Sequence, residues 1–252
     1  MQTELTALFG VYTLFFFTGH LFIKKSQKQL FLLSAALLIS LFLLFLLFLQ
    51  YDAMLCRLPL WLQRHITLLI WLTLGALVGL VSVVYLHLKR IFLSILLNAV
   101  YLLSFWYYNE PVYSSISPID PLPNVTNQTT LYSCACASLS TIAKHKGIRI
   151  SEREACRLIG TTRYGSNPGQ IRYAANELGF SFKTLPGSVD IAKVHPPALL
   201  FVDRRGGYEN HAVAYLSKKD GKYILFDPME GWRFLDRKQM QSIWHGRGIE
   251  LF

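Results

Sequence analysis

Four polar residues in the second half of the chain have the side chains needed for attack on a carbonyl carbon by a thiol. In chain order they are Gln128, Cys134, His211 and Asp227. Cysteine supplies a nucleophile, histidine can take up its proton, and a carboxylate can orient the imidazole. An amide N–H can stabilise the oxyanion that forms. This set predicts acyl transfer through a thioester, with no metal or cofactor.

Cys134 stands where an apolar helix is predicted to begin, directly after Ser133, which is a suitable N-cap residue. Free N–H groups and the positive dipole end of a helix both lower the pKa of a thiol. Gln128 precedes the thiol by six residues on an extended approach. A single oxyanion donor of this kind is worth roughly 3 kcal/mol in a reaction barrier. We therefore expect Cys134 to be the nucleophile and Gln128 the oxyanion donor.

His211 and Asp227 are predicted to lie on two paired strands. His211 begins the alternating segment His211–Leu216, and Asp227 ends the segment Tyr223–Asp227. Between them, Lys219-Asp-Gly221 is typical of a hairpin turn. Antiparallel pairing across this turn brings both side chains together on one sheet face. The sequence thus predicts a base with its orienting carboxylate.

Three helices are predicted before the strands. The first runs from Cys134 and stops before Gly147, and the second follows the capping box Ser151–Glu154. Ser166-Asn-Pro168 opens the third, which Gly179 ends. These helices must position the thiol.

Short strands follow the helices, separated by turn residues. They are predicted at Phe180–Leu185, Ala198–Val202, His211–Leu216, Tyr223–Asp227 and Ile249–Phe252. A short helix near Arg237–Trp244 interrupts them. Helices followed by an antiparallel sheet predict an α+β domain over residues 128–252.

The first 108 residues are much more apolar and contain only nine charged side chains. Four of their segments approach the roughly 20 residues that span a bilayer. They are Leu5–Ile23, Leu30–Leu49, Ile66–Leu86 and Ile91–Tyr108. We therefore expect an all-α transmembrane bundle of about four helices at 1–108 in a bacterial inner (plasma) membrane, in contact with its lipid bilayer. Residues 109–127 contain four prolines and are expected to form a stiff, extended linker.

The Lys and Arg residues of the short loops predict the orientation of the bundle. One side would carry five of them: Lys24, Lys25, Lys28, Lys89 and Arg90. The other side would carry only Arg57 and Arg64. This distribution places both termini outside, and the second domain in the periplasm or another extracytoplasmic space. If the segment 91–108 does not span, the domain falls on the cytoplasmic side.

The net charge of +10 raises the question of nucleic-acid binding. Residues 128–252 contribute 18 − 11 = +7 of it. No basic cluster is longer than two residues, and no stacking-aromatic motif accompanies the charges. Nucleic acid is therefore not an expected partner.

Four separated sequence blocks resemble the bacteriocin-processing cysteine peptidases. They are Gln128-x5-Cys134-x3-Ser138-Leu139, Gly160–Pro168, Ala175–Phe180, and His211 with Asp227-Pro228. Members of this papain-like family cut leader peptides after a double glycine, usually at the cytoplasmic N-terminus of peptide-exporting ABC transporters. The resemblance covers about residues 124 to 252. It implies a papain-like fold, Cys134 as nucleophile, His211 as base, Asp227 as orienter and Gln128 as oxyanion donor.

Three features differ from the usual pattern of that family. Ser133-Cys134-Ala135 replaces Asp-Cys-Gly, which changes the turn around the nucleophile. The sequence contains no phosphate-binding loop of the Gly-x4-Gly-Lys-Ser/Thr type, so any export machinery would be a separate partner. The domain also follows predicted membrane spans.

The functional hypothesis is a membrane-anchored cysteine peptidase that removes a leader or propeptide from an exported peptide or protein. One alternative is a non-cleaving domain that binds leader peptides as a receptor or transport adaptor. Another is a membrane scaffold in which the bundle is the functional part. For the remaining thiols of the second half, a Cys136–Cys156 disulfide would leave Cys134 free, and two unpaired buried thiols are the alternative.

Overall fold

The computed structural model describes residues 58–87, 91–118, 122–204 and 207–252. The predicted spans Leu5–Ile23 and Leu30–Leu49 lie outside these residues. Two compact units are present among these residues: one contains His65–Tyr108, and the other contains residues 58–64 together with Asn109–Phe252.

Two apolar helices occupy the predicted positions: α1 (Leu60–His87), of which the part from His65 onward lies in the first unit, and α2 (Ile91–Tyr108). The hydroxyl of Tyr101 on α2 donates to the Trp71 carbonyl of α1 at 2.8 Å, and the two rings lie 6.2 Å apart. Among the residues that the structure describes, no helix has the length and apolar character needed to cross a membrane. Helices are present where they were predicted, at 66–86 and 91–108. Their prediction as membrane spans is not supported by the described residues.

Three helices form one layer of the second unit: α3 (Cys134–His145), α4 (Glu152–Ile159) and α5 (Pro168–Glu177). Their starting points agree with the predictions. Ser151 and Glu154 form the expected capping box on α4, and Gly160 ends that helix with a left-handed φ of 76°.

A six-stranded antiparallel sheet forms the second layer, with the strand order β1-β6-β2-β3-β4-β5. The strands are β1 (Phe182–Pro186), β2 (Ala198–Arg204), β3 (Gly207–Lys219), β4 (Lys222–Asp227), β5 (Gly231–Leu235) and β6 (Trp244–Leu251). The short helix α6 (Arg237–Ile243) precedes β6. Helices followed by an antiparallel sheet confirm the α+β prediction for this domain.

The sheet carries an apolar core on each face. On one face, buried residues of α3 such as Leu139 and Ile142 pack against Ala212 and Ala214 of β3. On the other, Met240 of α6 packs in the second cluster. Because α3 lies directly on β3, the start of this helix is held near the strand that carries His211.

Residues 109–118 differ from the extended tether predicted for this region. Val112–Ser115 form a 3-10 turn that packs against α4, and Val112 and Ile116 are buried in the core. Glu110 forms an ion pair with Arg163 at 2.7 Å. Burial of two apolar side chains favours this packing over the extended chain that the prolines alone suggest.

Candidate active site

The Cys134 thiol lies at the first residue of α3 and is free and partly exposed. Ser133 occupies the N-cap position as predicted, but its hydroxyl makes no capping bond to the helix. It instead donates to the Thr130 carbonyl at 3.1 Å and accepts from the Thr130 hydroxyl at 2.9 Å. The Ser133 side chain therefore fixes the loop before the thiol rather than the helix after it.

His211 of β3 and Asp227 at the end of β4 form the predicted imidazole–carboxylate pair. The Nε2 atom of His211 lies 2.8 Å from Oδ1 of Asp227, and both side chains are buried. The same oxygen accepts the backbone N–H of Met229 at 2.9 Å. These bonds hold the carboxylate in one orientation and direct it at the imidazole.

The imidazole of His211 also hydrogen-bonds to the Cys134 thiol. Because Nε2 faces Asp227, the ring nitrogen left for the thiol is Nδ1. Ser138 of α3 donates to the carbonyl of Ala212, the residue next to His211, at 3.0 Å. This bond joins the helix of the thiol to the strand of the imidazole, so that the structure brings Cys134, His211 and Asp227 together.

The three groups shift one another's pKa values. Burial alone would raise the pKa of Cys134, but the hydrogen bond and charge of His211, with backbone N–H donors, lower it overall. Burial alone would lower the pKa of His211, yet Asp227 and Cys134 raise it from 6.5 to about 9. Desolvation would raise the pKa of Asp227, while His211 and backbone N–H groups lower it. These directions favour a thiolate–imidazolium pair at neutral pH.

Gln128 lies at the same end of the domain, where its backbone N–H donates to the Pro228 carbonyl at 3.0 Å. Its side-chain Nε2 donates to the Thr130 carbonyl at 2.8 Å. Its Oε1 is buried and has no hydrogen-bond partner among the described residues. An amide nitrogen carries two N–H donors, so the second N–H of Gln128 can serve an oxyanion.

Arg233 of β5 is a neighbour of this site that the sequence analysis did not identify. Its Nη1 lies 3.8 Å from Oδ2 of Asp227, the carboxylate oxygen that lacks a hydrogen-bond partner among the described residues. It also lies 3.7 Å from Glu230. No strand was predicted over Gly231–Leu235, so nothing in the sequence analysis placed this cation beside Asp227.

Cys136 and Cys156 form a disulfide with a Cα–Cα distance of 5.0 Å, which joins α3 to α4. This pairing is the one that leaves Cys134 free. The Cys136 sulfur also lies 3.0 Å from the Thr161 hydroxyl. The sequence left open a disulfide or two unpaired thiols for Cys136 and Cys156, and the structure has the disulfide.

Two other histidines contact carboxylates. His245 lies 2.8 Å from Asp203, and His195 lies 3.5 Å from Glu250. Across the part of the chain that the structure describes, no group of three or more His, Cys, Asp or Glu side chains could hold a metal ion. The His211–Asp227 pair differs from the other two because it is buried and bonded to a free thiol.

Curated relatives match the second half of this chain. It is 29% identical over 129 residues to the probable microcin-H47 secretion/processing ATP-binding protein MchF of Escherichia coli. The matching region covers 51% of this chain and 18% of that protein. It is 29% identical over 122 residues to an uncharacterized protein of Methanothermobacter marburgensis. That matching region covers 48% of this chain and 83% of the relative. The chain thus spans less than a fifth of the length of the E. coli relative.

A solved structure also matches: the peptidase domain of Streptococcus ComA, with a TM-score of 0.46, 24% identity, and coverage of 52% of this chain and 98% of that domain. The model of the Peptidase C39 family matches residues 123–251, which is more than half of the chain and includes the whole candidate site. The chain belongs to the Peptidase C39 family of cysteine peptidases.

Proposed function

We propose that the chain is a cysteine endopeptidase in which Cys134, His211, Asp227 and Gln128 carry out the reaction. The observation that carries this proposal is the connected set of a free thiol, an imidazole and a buried carboxylate, with His211 and Asp227 separated by 2.8 Å. Lowering of the Cys134 pKa and raising of the His211 pKa support the same assignment. A domain that only binds peptides has no need of this arrangement.

The reaction would proceed in two steps, acylation of Cys134 and hydrolysis of the thioester. The Cys134 thiolate attacks the scissile carbonyl carbon, and the oxyanion accepts an N–H from Gln128. The protonated His211 gives its proton to the leaving amine, and the C–N bond breaks to leave a thioester. His211 then removes a proton from water, which attacks the thioester and releases the acid and the thiolate. Asp227 keeps the imidazole oriented in both steps.

The proposed substrate is a leader or propeptide of an exported peptide or protein. Membership of the Peptidase C39 family supports a peptide substrate. The E. coli relative is named a secretion/processing ATP-binding protein. The name of that relative supports export machinery as a proposed partner of this chain.

We also propose that residues 1–108 attach the peptidase to a membrane, with the peptidase domain on the extracytoplasmic side. The apolar segments and the distribution of Lys and Arg support this part on sequence grounds alone. The Cys136–Cys156 disulfide agrees with it, because such bonds persist in oxidising compartments. Reporter fusions after residue 108 test the orientation: a cytoplasmic signal contradicts it.

Trapping of the thioester tests the enzymatic proposal. Purified full-length chain would be mixed with leader-bearing precursors, quenched in acid and digested for mass spectrometry. We expect an acyl group on the peptide that contains Cys134, and its loss in Cys134→Ala. Precursor that is bound but never cleaved or transferred to Cys134 would favour the non-cleaving leader receptor.

A further inference from the structure

The carboxylate of Glu152, at the first residue of α4, is buried and accepts two hydrogen bonds from Thr129. Its Oε1 accepts the backbone N–H of Thr129 at 2.9 Å, and its Oε2 accepts the Thr129 hydroxyl at 2.9 Å. Only 1% of Glu152 is exposed. A buried carboxylate is costly unless its oxygens are hydrogen-bonded, so this contact holds Thr129 in one position.

Thr129 lies between Gln128 and a hydrogen-bonded turn. These residues form the oxyanion segment (residues 128–133). The Thr130 carbonyl accepts both Nε2 of Gln128 at 2.8 Å and the Ser133 hydroxyl at 3.1 Å. The side-chain amide of Gln128 is therefore oriented by its own segment. Two contacts hold that segment on the domain: the bonds from Thr129 to Glu152, and the bond from the Gln128 backbone N–H to the Pro228 carbonyl.

Glu152 and the nucleophile belong to one cross-linked pair of helices. The Cys136–Cys156 disulfide joins α3, which begins with Cys134, to α4, which begins with Glu152. The contact between Glu152 and Thr129 thus fixes the oxyanion segment relative to the thiol. A small displacement of a donor from the oxyanion weakens the stabilisation that it provides.

We propose that Glu152 is a positioning residue that fixes the Gln128 amide toward the oxyanion formed at Cys134. This inference rests on the proposed peptidase function. Glu152 acts through Thr129 and Gln128 and does not itself contact the substrate. Its effect on catalysis must therefore depend on the presence of the Gln128 side chain.

A double-mutant cycle with Glu152→Ala, Gln128→Ala and the combined variant tests this dependence. The probe is a fluorogenic aminomethylcoumarin amide of a peptide ending in Gly-Gly. We expect Glu152→Ala to lower kcat about tenfold, with KM changed less than about twofold. In the Gln128→Ala background, the same substitution should change kcat less than about twofold. An equal loss in both backgrounds would overturn the proposal.

Two further variants separate positioning from folding. Glu152→Gln should recover most of kcat, because the Thr129 hydroxyl can accept an N–H as well as donate. Glu154→Ala is the matched control, since Glu154 lies on the same helix and forms the capping box with Ser151. It should lower the melting temperature while kcat stays unchanged.

If the wild-type chain does not cleave the probe, that result counts against the proposed function. A measurement that does not depend on activity then tests the role of Glu152. The side-chain amide signals of Gln128, assigned by their loss in Gln128→Ala, would be recorded by NMR on the full chain. Glu152→Ala should shift them and speed their exchange with water, whereas Glu154→Ala should not. Unchanged Gln128 signals in Glu152→Ala would show that Glu152 does not position the amide.

Discussion

The Nε2 atom of His211 lies 2.8 Å from Oδ1 of Asp227, and this bond sets the geometry of the whole site. It uses one ring nitrogen of the imidazole and leaves the other facing Cys134. The carboxylate is itself held by the backbone N–H groups of Met229 and Glu230. The thiol is consequently presented with a fixed proton acceptor.

Alkylation of Cys134 should show how far His211 lowers the thiol pKa. The wild-type chain should react with iodoacetamide at a lower pH than an ordinary cysteine thiol does, because His211 lowers the pKa of Cys134. In His211→Ala, burial is left to raise the pKa of Cys134, so the alkylation profile should move to higher pH and the rate at neutral pH should fall about tenfold.

The matched control for this measurement is His245→Ala, which breaks a contact with Asp203 and leaves the thiol environment unchanged. Its alkylation profile should follow that of the wild type. Identical profiles for wild type and His211→Ala would remove His211 as the partner of Cys134.

Asp227→Asn should move the alkaline limb of the pH–rate profile. Asp227 favours the protonated imidazole and helps to raise the pKa of His211 to about 9. Without the carboxylate this pKa falls, so kcat/KM should decline at a lower pH than in the wild type. The maximal rate should drop on the order of 10²-fold, because the base loses its orientation.

Arg233→Gln serves as the comparison for that variant, since Arg233 lies 3.8 Å from Asp227 and makes no contact with the imidazole in the described structure. It should leave the maximal rate within about threefold of the wild type, because Asp227 keeps its hydrogen bonds to His211, Met229 and Glu230 and the Arg233 contact at 3.8 Å is long. An alkaline limb that stays at the wild-type pH in Asp227→Asn would show that this carboxylate does not control His211.

The Cys136–Cys156 bridge should contribute measurably to stability. It joins residues 20 positions apart. Closing a loop of this size lowers the conformational entropy of the unfolded chain, which raises the free energy of unfolding by about 3 kcal/mol. Urea unfolding of Cys156→Ser should therefore show a loss of that order. Cys134→Ser is the control, because it removes a thiol and no cross-link.

Labelling supplies the direct check on the bridge. Maleimide added to the denatured, unreduced chain should modify Cys134 and spare Cys136 and Cys156, and all three should react after reduction. Labelling of Cys136 without a reductant would contradict the bridge.

The pairing of His211 with Asp227 could be predicted because it depends on a local hairpin. Asp220 and Gly221 adopt positive φ values of 51° and 74°, as a tight turn at the predicted position requires. The register has a bulge between Tyr215 and Ser217, which the sequence did not reveal. The bulge changes the pairing near the turn without separating His211 from Asp227.

The environment of Gln128 could not be predicted from local pattern. Its amide orientation depends on a turn closed by Ser133, a residue that the helix-capping rule assigned to α3. Glu152 lies 23 residues from Thr129, and their contact follows from the packing of α4. Residues that act through tertiary packing leave no periodic signal in the sequence.

The strand β5 was missed for a different reason. Trp232 and Phe234, two of its three apolar residues, are about half exposed at the edge of the sheet. The segment buries only one of its five side chains, so it lacks the buried apolar face that marked the predicted strands. Its position beside β4 depends on pairing with that strand.

The most direct test of the central claim compares the peptides secreted by cells that carry the wild-type chain with those from cells that carry Cys134→Ala. The account predicts that mass spectrometry finds at least one peptide that keeps its N-terminal leader only in the Cys134→Ala cells. Equal expression of both chains is the control. Identical peptide termini in the two samples would contradict a peptidase function for this chain.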